Sequence, residues 1–135
     1  MKTKCLVAVA VKIALASAAA FAAEHTKDSL TTVRKNLKQQ RAVLIDVREK
    51  DEWNRGHLKE ATHVALSVLR KAAEKGDGPT TLEAPLPKKK IIYCHCRSGG
   101  RALVAGGILK KWGYDVRPLS SGFDDLVEAG FPQAK

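Results

Sequence analysis

Residues 90–101 read KIIYCHCRSGGR, and this stretch decides the architecture of the chain. Its first part, Lys90 to Tyr93, is apolar and β-prone, whereas Arg101 to Trp112 carries helix-forming residues with apolar positions at helical spacing. Cys96 therefore begins a turn that leads from a strand into a helix. The alternation of strands and helices along the whole chain predicts an α/β fold with a mostly parallel central sheet and helices on both faces.

The turn combines a thiol with groups that bind anions. The first amides of a helix have no intrahelical acceptors, and the adjacent Gly99 and Gly100 let several N–H groups point at one spot. The sulfur of Cys96 stands at the rim of this cradle, and Arg97 and Arg101 add positive charge. We expect the pKa of the Cys96 thiol to lie below its ordinary value of about 8.5.

Four motifs occur in an order that is typical of one family. They are AVLIDVR at residues 42–48, GHL at 56–58, the Cys96 loop and GYDV at 113–116. In this order they resemble a single-domain rhodanese, a sulfurtransferase, and the resemblance spans about residues 29–132. It implies a rhodanese-like α/β fold.

The resemblance also implies a double displacement. Cys96 attacks the outer sulfur of a small anionic donor such as thiosulfate, releases sulfite and becomes a persulfide, which a thiol, cyanide or a protein acceptor then discharges. The amides of residues 98–101 would hold the charge of the persulfide, and Arg97 or Arg101 would orient the departing sulfite. The predicted substrate-binding residues are thus Arg97, Ser98, Gly99, Gly100 and Arg101.

Asp46 and Arg48 match the family's Asp-x-Arg pair beside the loop. We interpret them as residues that brace the loop and do not react. No general base is required if the thiolate is already formed, so the lack of an evident Cys/His dyad is compatible with this chemistry.

Two other functions compete with this interpretation. A phosphatase of the Cys-x5-Arg type uses a similar loop, but only four residues, Arg97 to Gly100, separate Cys96 from Arg101, so the ring is smaller than a phosphate requires. A rhodanese-like sulfur carrier or binding module that is slow by itself stays open. Turnover of thiosulfate with cyanide would separate the enzyme from the carrier.

The N-terminus has the pattern of a secretory signal. A basic start, Met1 to Lys4, precedes a mostly apolar stretch from Cys5 to Phe21, and Ala20 and Ala22 are the small residues that a signal peptidase reads. We expect cleavage after Ala22, a periplasmic or secreted location, and no stable membrane insertion after cleavage. An uncleaved anchor is the alternative, but the segment is short and contains Lys12.

The remainder, residues 23–135, has the size and the apolar content of one compact domain, because the chain has 135 residues of which 44% are hydrophobic. The formal net charge of +10 favours anionic ligands, but two tryptophans and two tyrosines argue against a stacking surface for nucleic acid. The histidines and cysteines lack ordinary zinc spacing, so we predict no metal and no other cofactor.

The sequence also predicts the roles of single residues and the bounds of the other helices and strands. Cys94 is interpreted as a buried strand residue in preference to a resolving thiol, His57 as closing a turn, and His95 either as a substrate contact or as a packed or surface imidazole. Thr26 or Asp28 is the predicted cap of the first helix, and Val68, Leu69 and Ala72 are predicted to face inward from a helix over 67–75. The remaining predicted elements are strands over 42–47, 61–65 and 114–119, a short helix over 50–53, a loop over 76–87 and a closing helix over 123–129.

Overall fold

A computed structural model describes residues 23–135, so the predicted leader lies outside the described residues. The described part alternates helices and strands as the hydrophobic pattern predicts. The helices are α1 (Leu30–Lys38), α2 (Lys50–Asn54), α3 (Leu66–Glu74), α4 (Gly100–Lys111) and α5 (Phe123–Glu128), and the strands are β1 (Ala42–Asp46), β2 (Ala61–His63), β3 (Ile91–His95) and β4 (Val116–Pro118).

The four strands form one sheet in the order β2-β1-β3-β4, with every pair parallel. The register pairs Asp46 of β1 with His95 of β3, and Asp46 of β1 with His63 of β2. Since the strands run the same way, their carboxyl ends meet at one edge, where ligands of such sheets bind. Cys96 follows directly on β3 and lies at that edge.

Two hydrophobic cores cover the two faces of the sheet. On one face α3 and α4 bury Leu69, Ala105 and Leu109 against Ile45 and Cys94. On the other face, α1 and α5 pack through Val33 and Leu126 against Leu44 and Tyr93. The predicted parallel sheet with helices on both faces is therefore confirmed.

The first helix is capped by a residue other than the two predicted. The Ser29 hydroxyl accepts a hydrogen bond from the Thr32 N–H at 3.1 Å. The Asp28 carboxylate is engaged elsewhere, because it accepts from the Tyr93 hydroxyl at 2.7 Å and pairs with Arg117 at 2.9 Å. The prediction was wrong because Asp28 has partners that are distant in sequence.

The buried face of α3 also differs from the prediction. Val68 is 47% exposed, and Leu66 is buried with Leu69 and Ala72. The helix begins at Leu66, and the spacing from Leu66 to Leu69 and Ala72 defines its inner face without Val68.

Helix α4 packs unusually close to the sheet. Its buried residues are the small Ala102, Ala105 and Gly106 together with Leu109. A Cβ on Gly106 would lie 2.6 Å from Cγ of Pro118 in β4, so only glycine permits this approach.

Two strands are shorter in the structure than the predicted ranges 61–65 and 114–119. The predicted loop over 76–87 contains a 3-10 turn, Gly78–Thr81.

No helix among residues 23–135 combines the length and the apolar character needed to cross a membrane.

The assignment of the inner face of α3 can be tested by two alanine substitutions. We expect Leu69→Ala to lower the free energy of unfolding by about 2 to 5 kcal/mol, because it leaves a cavity in the core. Val68→Ala should change it by less than about 0.5 kcal/mol, since Val68 is largely solvated. Denaturant unfolding of both variants measures the difference, and equal losses would contradict the assigned face.

Candidate active site

The loop between β3 and α4 surrounds the sulfur of Cys96. Gly99 has φ of +95°, a conformation that glycine adopts readily, and its N–H donates to Cys96 Sγ at 3.0 Å. Cys96 is 1% exposed, so its sulfur lies within the loop and not on the surface. The backbone thus directs at least one amide at the thiol, immediately before the N-terminus of a twelve-residue helix.

The loop is supported from behind by the start of α5. The N–H of Phe123 donates to the carbonyl oxygen of Cys96 at 2.9 Å. Gly122 packs so tightly on the loop that a Cβ there would lie 1.6 Å from the carbonyl oxygen of Arg97. Sequence reasoning did not assign a role to Gly122, because the contact joins the loop to a segment more than twenty residues away.

Arg97 of the loop and Arg101 in the first turn of α4 have different surroundings. Arg101 makes a two-pronged ion pair with Glu52 of α2, with Nη2 donating to Oε2 at 2.9 Å and Nη1 to Oε1. The hydrogen bonds from Arg101 lower the pKa of Glu52 to about 2, so the pair is ionised near neutrality. Arg97 is exposed. Glu52 was not foreseen from the sequence.

The Asp46 and Arg48 pair lies buried beside the loop. Arg48 Nη2 donates to Asp46 Oδ2 at 2.8 Å and also to the carbonyl oxygen of Gly56 at 2.8 Å. The Arg48 guanidinium lies 4.2 Å from the centroid of the Phe123 ring, in cation–π geometry. Together these contacts tie the end of β1 to the turn after α2 and to the start of α5.

His95 is the buried neighbour of Cys96, and its side chain lies on the opposite face of β3. Its ring Nδ1 lies 3.1 Å from the carbonyl oxygen of Cys96, and its Nε2 lies 3.6 Å from Asp46 Oδ2. Burial lowers the pKa of His95. Of the two readings left open by the sequence, the structure favours a packed imidazole.

Cys94 has a different environment although it lies two residues from Cys96. Its thiol is fully buried in the core under α4 and lies 3.4 Å from the carbonyl oxygen of Ala102. Burial raises the pKa of Cys94 above its ordinary range, so this thiol stays protonated.

The remaining histidines contact backbone carbonyls. His57 Nδ1 lies 3.0 Å from the carbonyl oxygen of Trp53 and closes the turn after α2, as predicted. His25 Nε2 lies 2.9 Å from the carbonyl oxygen of Gly99, so the segment before α1 touches the loop itself. No sequence signal pointed to His25. Among residues 23–135, no three His, Cys, Asp or Glu side chains come together as metal ligands would.

A polar cleft of about 210 Å³ opens beside the loop. Its walls carry three arginines and two carboxylates, a composition suited to a small anion. The residues that line it are Arg48, Glu52, Arg55, Arg97, Phe123 and Asp124. A larger hollow of about 730 Å³ lies on α4 and is lined mainly by apolar residues such as Leu103, Val104 and Ile108, with no residue of the Cys96 loop.

A protein-family model matches most of the described chain. The model described as "Rhodanese-like domain" matches residues 29–129. This range includes α1 through α5 and every residue of the loop.

Comparison with individual proteins gives relatives named as sulfurtransferases. The chain is 32% identical over 76 residues to a protein of Schizosaccharomyces pombe named "Putative thiosulfate sulfurtransferase, mitochondrial", and the match covers 53% of each. It is 30% identical over 89 residues to the adenylyltransferase and sulfurtransferase uba4 of Ogataea parapolymorpha, covering 66% of this chain and 21% of the relative. The chain thus spans about half the length of the first relative and about a fifth of the second.

Solved structures agree with the fold. The human single-domain sulfurtransferase TSTD1 is 26% identical with a TM-score of 0.61, over 75% of this chain and 94% of that one. A rhodanese-related protein from Thermoplasma volcanium is 22% identical with a TM-score of 0.60, over 77% of this chain and 92% of that one, which shows the shared fold.

The contact of Gly122 with the loop gives a paired prediction. Gly122→Ala should lower the free energy of unfolding by about 3 kcal/mol, because the added methyl group meets a backbone carbonyl that cannot move independently. In Gly100→Ala, the same methyl group enters open space in the first turn of α4, and stability should fall little or rise by less than about 1 kcal/mol. Thermal unfolding of the pair checks this, and equal destabilisation would show that the contact at Gly122 is not specific.

Proposed function

The chain belongs to the rhodanese-like domain family, and we propose that it is a sulfurtransferase that moves sulfane sulfur from thiosulfate or a related anion to a thiophilic acceptor through a persulfide on Cys96. The observation that carries this proposal is the N–H of Gly99, which donates to Cys96 Sγ at 3.0 Å within the loop that begins α4. A donor aimed at the sulfur favours the thiolate, and it remains available to the negative charge of a persulfide.

The first half-reaction forms one S–S bond and breaks another. The Cys96 thiolate attacks the outer sulfur of thiosulfate, and sulfite leaves with the electron pair of the broken S–S bond. Cys96 then carries a persulfide anion. No proton is transferred in this step when the thiol enters it ionised, so no general base is needed.

The second half-reaction returns the free thiolate. An acceptor nucleophile such as cyanide attacks the outer sulfur of the persulfide, and the Cys96 sulfur leaves with the electron pair. With cyanide the product is thiocyanate. We assign the approach of the acceptor to the polar cleft, because Arg97, which follows Cys96 in the loop, lines it.

Arg97 is the better candidate for binding the sulfonate oxygens of the donor. Its exposed side chain lines the cleft, whereas both terminal nitrogens of the Arg101 guanidinium already donate to Glu52. Arg101 would then hold the start of α4 against α2 and add positive charge near Cys96, whereas Arg97 would contact the donor directly. Arg48 lines the same cleft but is held by Asp46 and Gly56.

The proposed intermediate can be detected directly by intact mass. We expect the protein to gain the mass of one sulfur atom on incubation with thiosulfate and to lose it on addition of cyanide. Cys96→Ser should show neither change, since Cys94 is buried and protonated. A wild-type protein that gains no sulfur although Cys96 can be alkylated would reject thiosulfate as the donor and favour a partner-fed carrier or a binding module.

The role of Arg97 is tested by removing its charge. Arg97→Gln should lower kcat/KM for thiosulfate by about tenfold to a hundredfold, the effect of losing a hydrogen bond between charged groups. Arg70→Gln removes the same charge from an exposed site on α3, outside the cleft, and should change kcat/KM by less than about twofold at moderate salt. Equal effects in the two variants would mean that only the net charge of the protein matters.

A further inference from the structure

The imidazole of His95 lies between two hydrogen-bond acceptors. The carbonyl oxygen of Cys96 faces Nδ1 at 3.1 Å, and Asp46 Oδ2 faces Nε2 at 3.6 Å. The side chain is fully buried, and its Nε2 has no hydrogen-bond partner within the described part of the chain. A neutral imidazole has one N–H, so it can serve only one of these acceptors.

The two distances favour a hydrogen on Nδ1 over one on Nε2. His95 Nδ1 and the carbonyl oxygen of Cys96 lie at a hydrogen-bond distance of 3.1 Å. Without a hydrogen on Nδ1, both atoms would present lone pairs to each other and would repel. The separation of 3.6 Å at Nε2 exceeds a hydrogen bond, as is expected when a bare nitrogen faces a carboxylate. Burial lowers the pKa of His95, which agrees with a neutral ring near neutrality.

The charged groups around the ring allow this arrangement. The ring is approached from the end of β1 by Asp46 and by Arg48, and from α5 by the uncharged ring of Phe123 at a centroid distance of 6.5 Å. Asp46 Oδ2 already accepts two hydrogen bonds from Arg48, at 2.8 and 3.1 Å. The carboxylate therefore does not need a hydrogen bond from His95 Nε2. The single N–H of the ring can then be at Nδ1, where it donates to the carbonyl oxygen of Cys96.

With the hydrogen on Nδ1, the carbonyl of Cys96 has two donors. One is the N–H of Phe123 at 2.9 Å, and the other is the ring Nδ1–H of His95 at 3.1 Å. This carbonyl belongs to the peptide that joins Cys96 to Arg97, which is the first peptide of the loop. Its orientation sets the path of the chain to Gly99, whose N–H must reach the sulfur.

We propose that His95 is a positioning residue for the nucleophile: as the Nδ1–H tautomer, it fixes the Cys96–Arg97 peptide and thereby holds Cys96 Sγ against the amide of Gly99. This inference deepens the proposed sulfurtransferase function and rests on it for its catalytic meaning. His95 contacts neither the donor nor the acceptor and acts only through the backbone of the loop.

Three substitutions separate the hydrogen bond from the bulk of the ring. The amide nitrogen of Asn occupies the place of Nδ1, the amide nitrogen of Gln occupies the place of Nε2, and Leu supplies volume without a donor. We expect His95→Asn to keep the alkylation rate constant of Cys96 and kcat/KM for thiosulfate within about threefold of wild type. His95→Gln and His95→Leu should lower both by about tenfold, the effect of one lost hydrogen bond.

The alkylation rate is measured with iodoacetamide on the full chain, with peptide mapping to assign the label to Cys96. This readout needs no sulfur donor, so it reports on His95 even if thiosulfate fails to load the protein. His57→Asn is the matched control, because the His57 ring also contacts a backbone carbonyl, at 3.0 Å, but at the end of α2. It should leave the alkylation of Cys96 unchanged.

The tautomer is measured on the wild-type protein by long-range proton–nitrogen correlation spectra of the imidazoles near neutral pH. We expect a protonated Nδ1 and a bare Nε2 for His95. A protonated Nε2, or retention of the alkylation rate by Gln and not by Asn, would place the donor on the wrong nitrogen and overturn the proposal. Equal rates in all three variants, or equal losses in all three with cooperative unfolding preserved, would overturn it as well.

Discussion

The parallel pairing of β1 with β3 is the constraint on which the site depends. Its register sets Asp46 beside His95, and the next residues along each strand then leave the sheet at the same edge. Because of this, Arg48, two positions after Asp46, and Arg97, which follows Cys96, line the same cleft although they are far apart in sequence. A slip of one residue would exchange the faces of His95 and Cys96 and would place the thiol in the core under α1 and α5.

The ion pairs at this edge of the sheet fix the positions of the segments around Cys96 more than they raise the free energy of unfolding. The Asp46 and Arg48 pair is buried, and the gain from such a pair is largely offset by the cost of removing both charges from water. What the pair supplies is a fixed carboxylate and a guanidinium that reaches the Gly56 carbonyl and the Phe123 ring. The Glu52 and Arg101 pair connects α2 to the first turn of α4 in the same manner. With these two arginines engaged, Arg97 is the cation of the loop whose charge is presented to the cleft.

The sequence was sufficient for the features that depend on neighbouring residues. The strand, the turn and the helix around Cys96 follow from local pattern, and the order of the motifs identified the rhodanese-like fold. The features that it did not supply are contacts between distant segments. Glu52 meets Arg101 across 49 positions, and His25 meets Gly99 across 74, and neither carries a local signal. The error in the inner face of α3 has a local cause: the helix begins at Leu66, one residue earlier than predicted, and Leu66 takes the buried position that was predicted for Val68.

Cys94 and Cys96 show how far strand alternation alone determines chemistry. Two residues apart, they point to the same face of β3 and both contribute to the core under α4. Cys94 is buried in the hydrophobic core with one carbonyl acceptor, so burial holds its proton in place. Cys96 lies just beyond the last residue of the strand, where the chain turns and the first free amides of a helix become available. The position of the strand end, more than the presence of cysteine, therefore decides which of the two thiols has the hydrogen-bond donor that the proposed function requires.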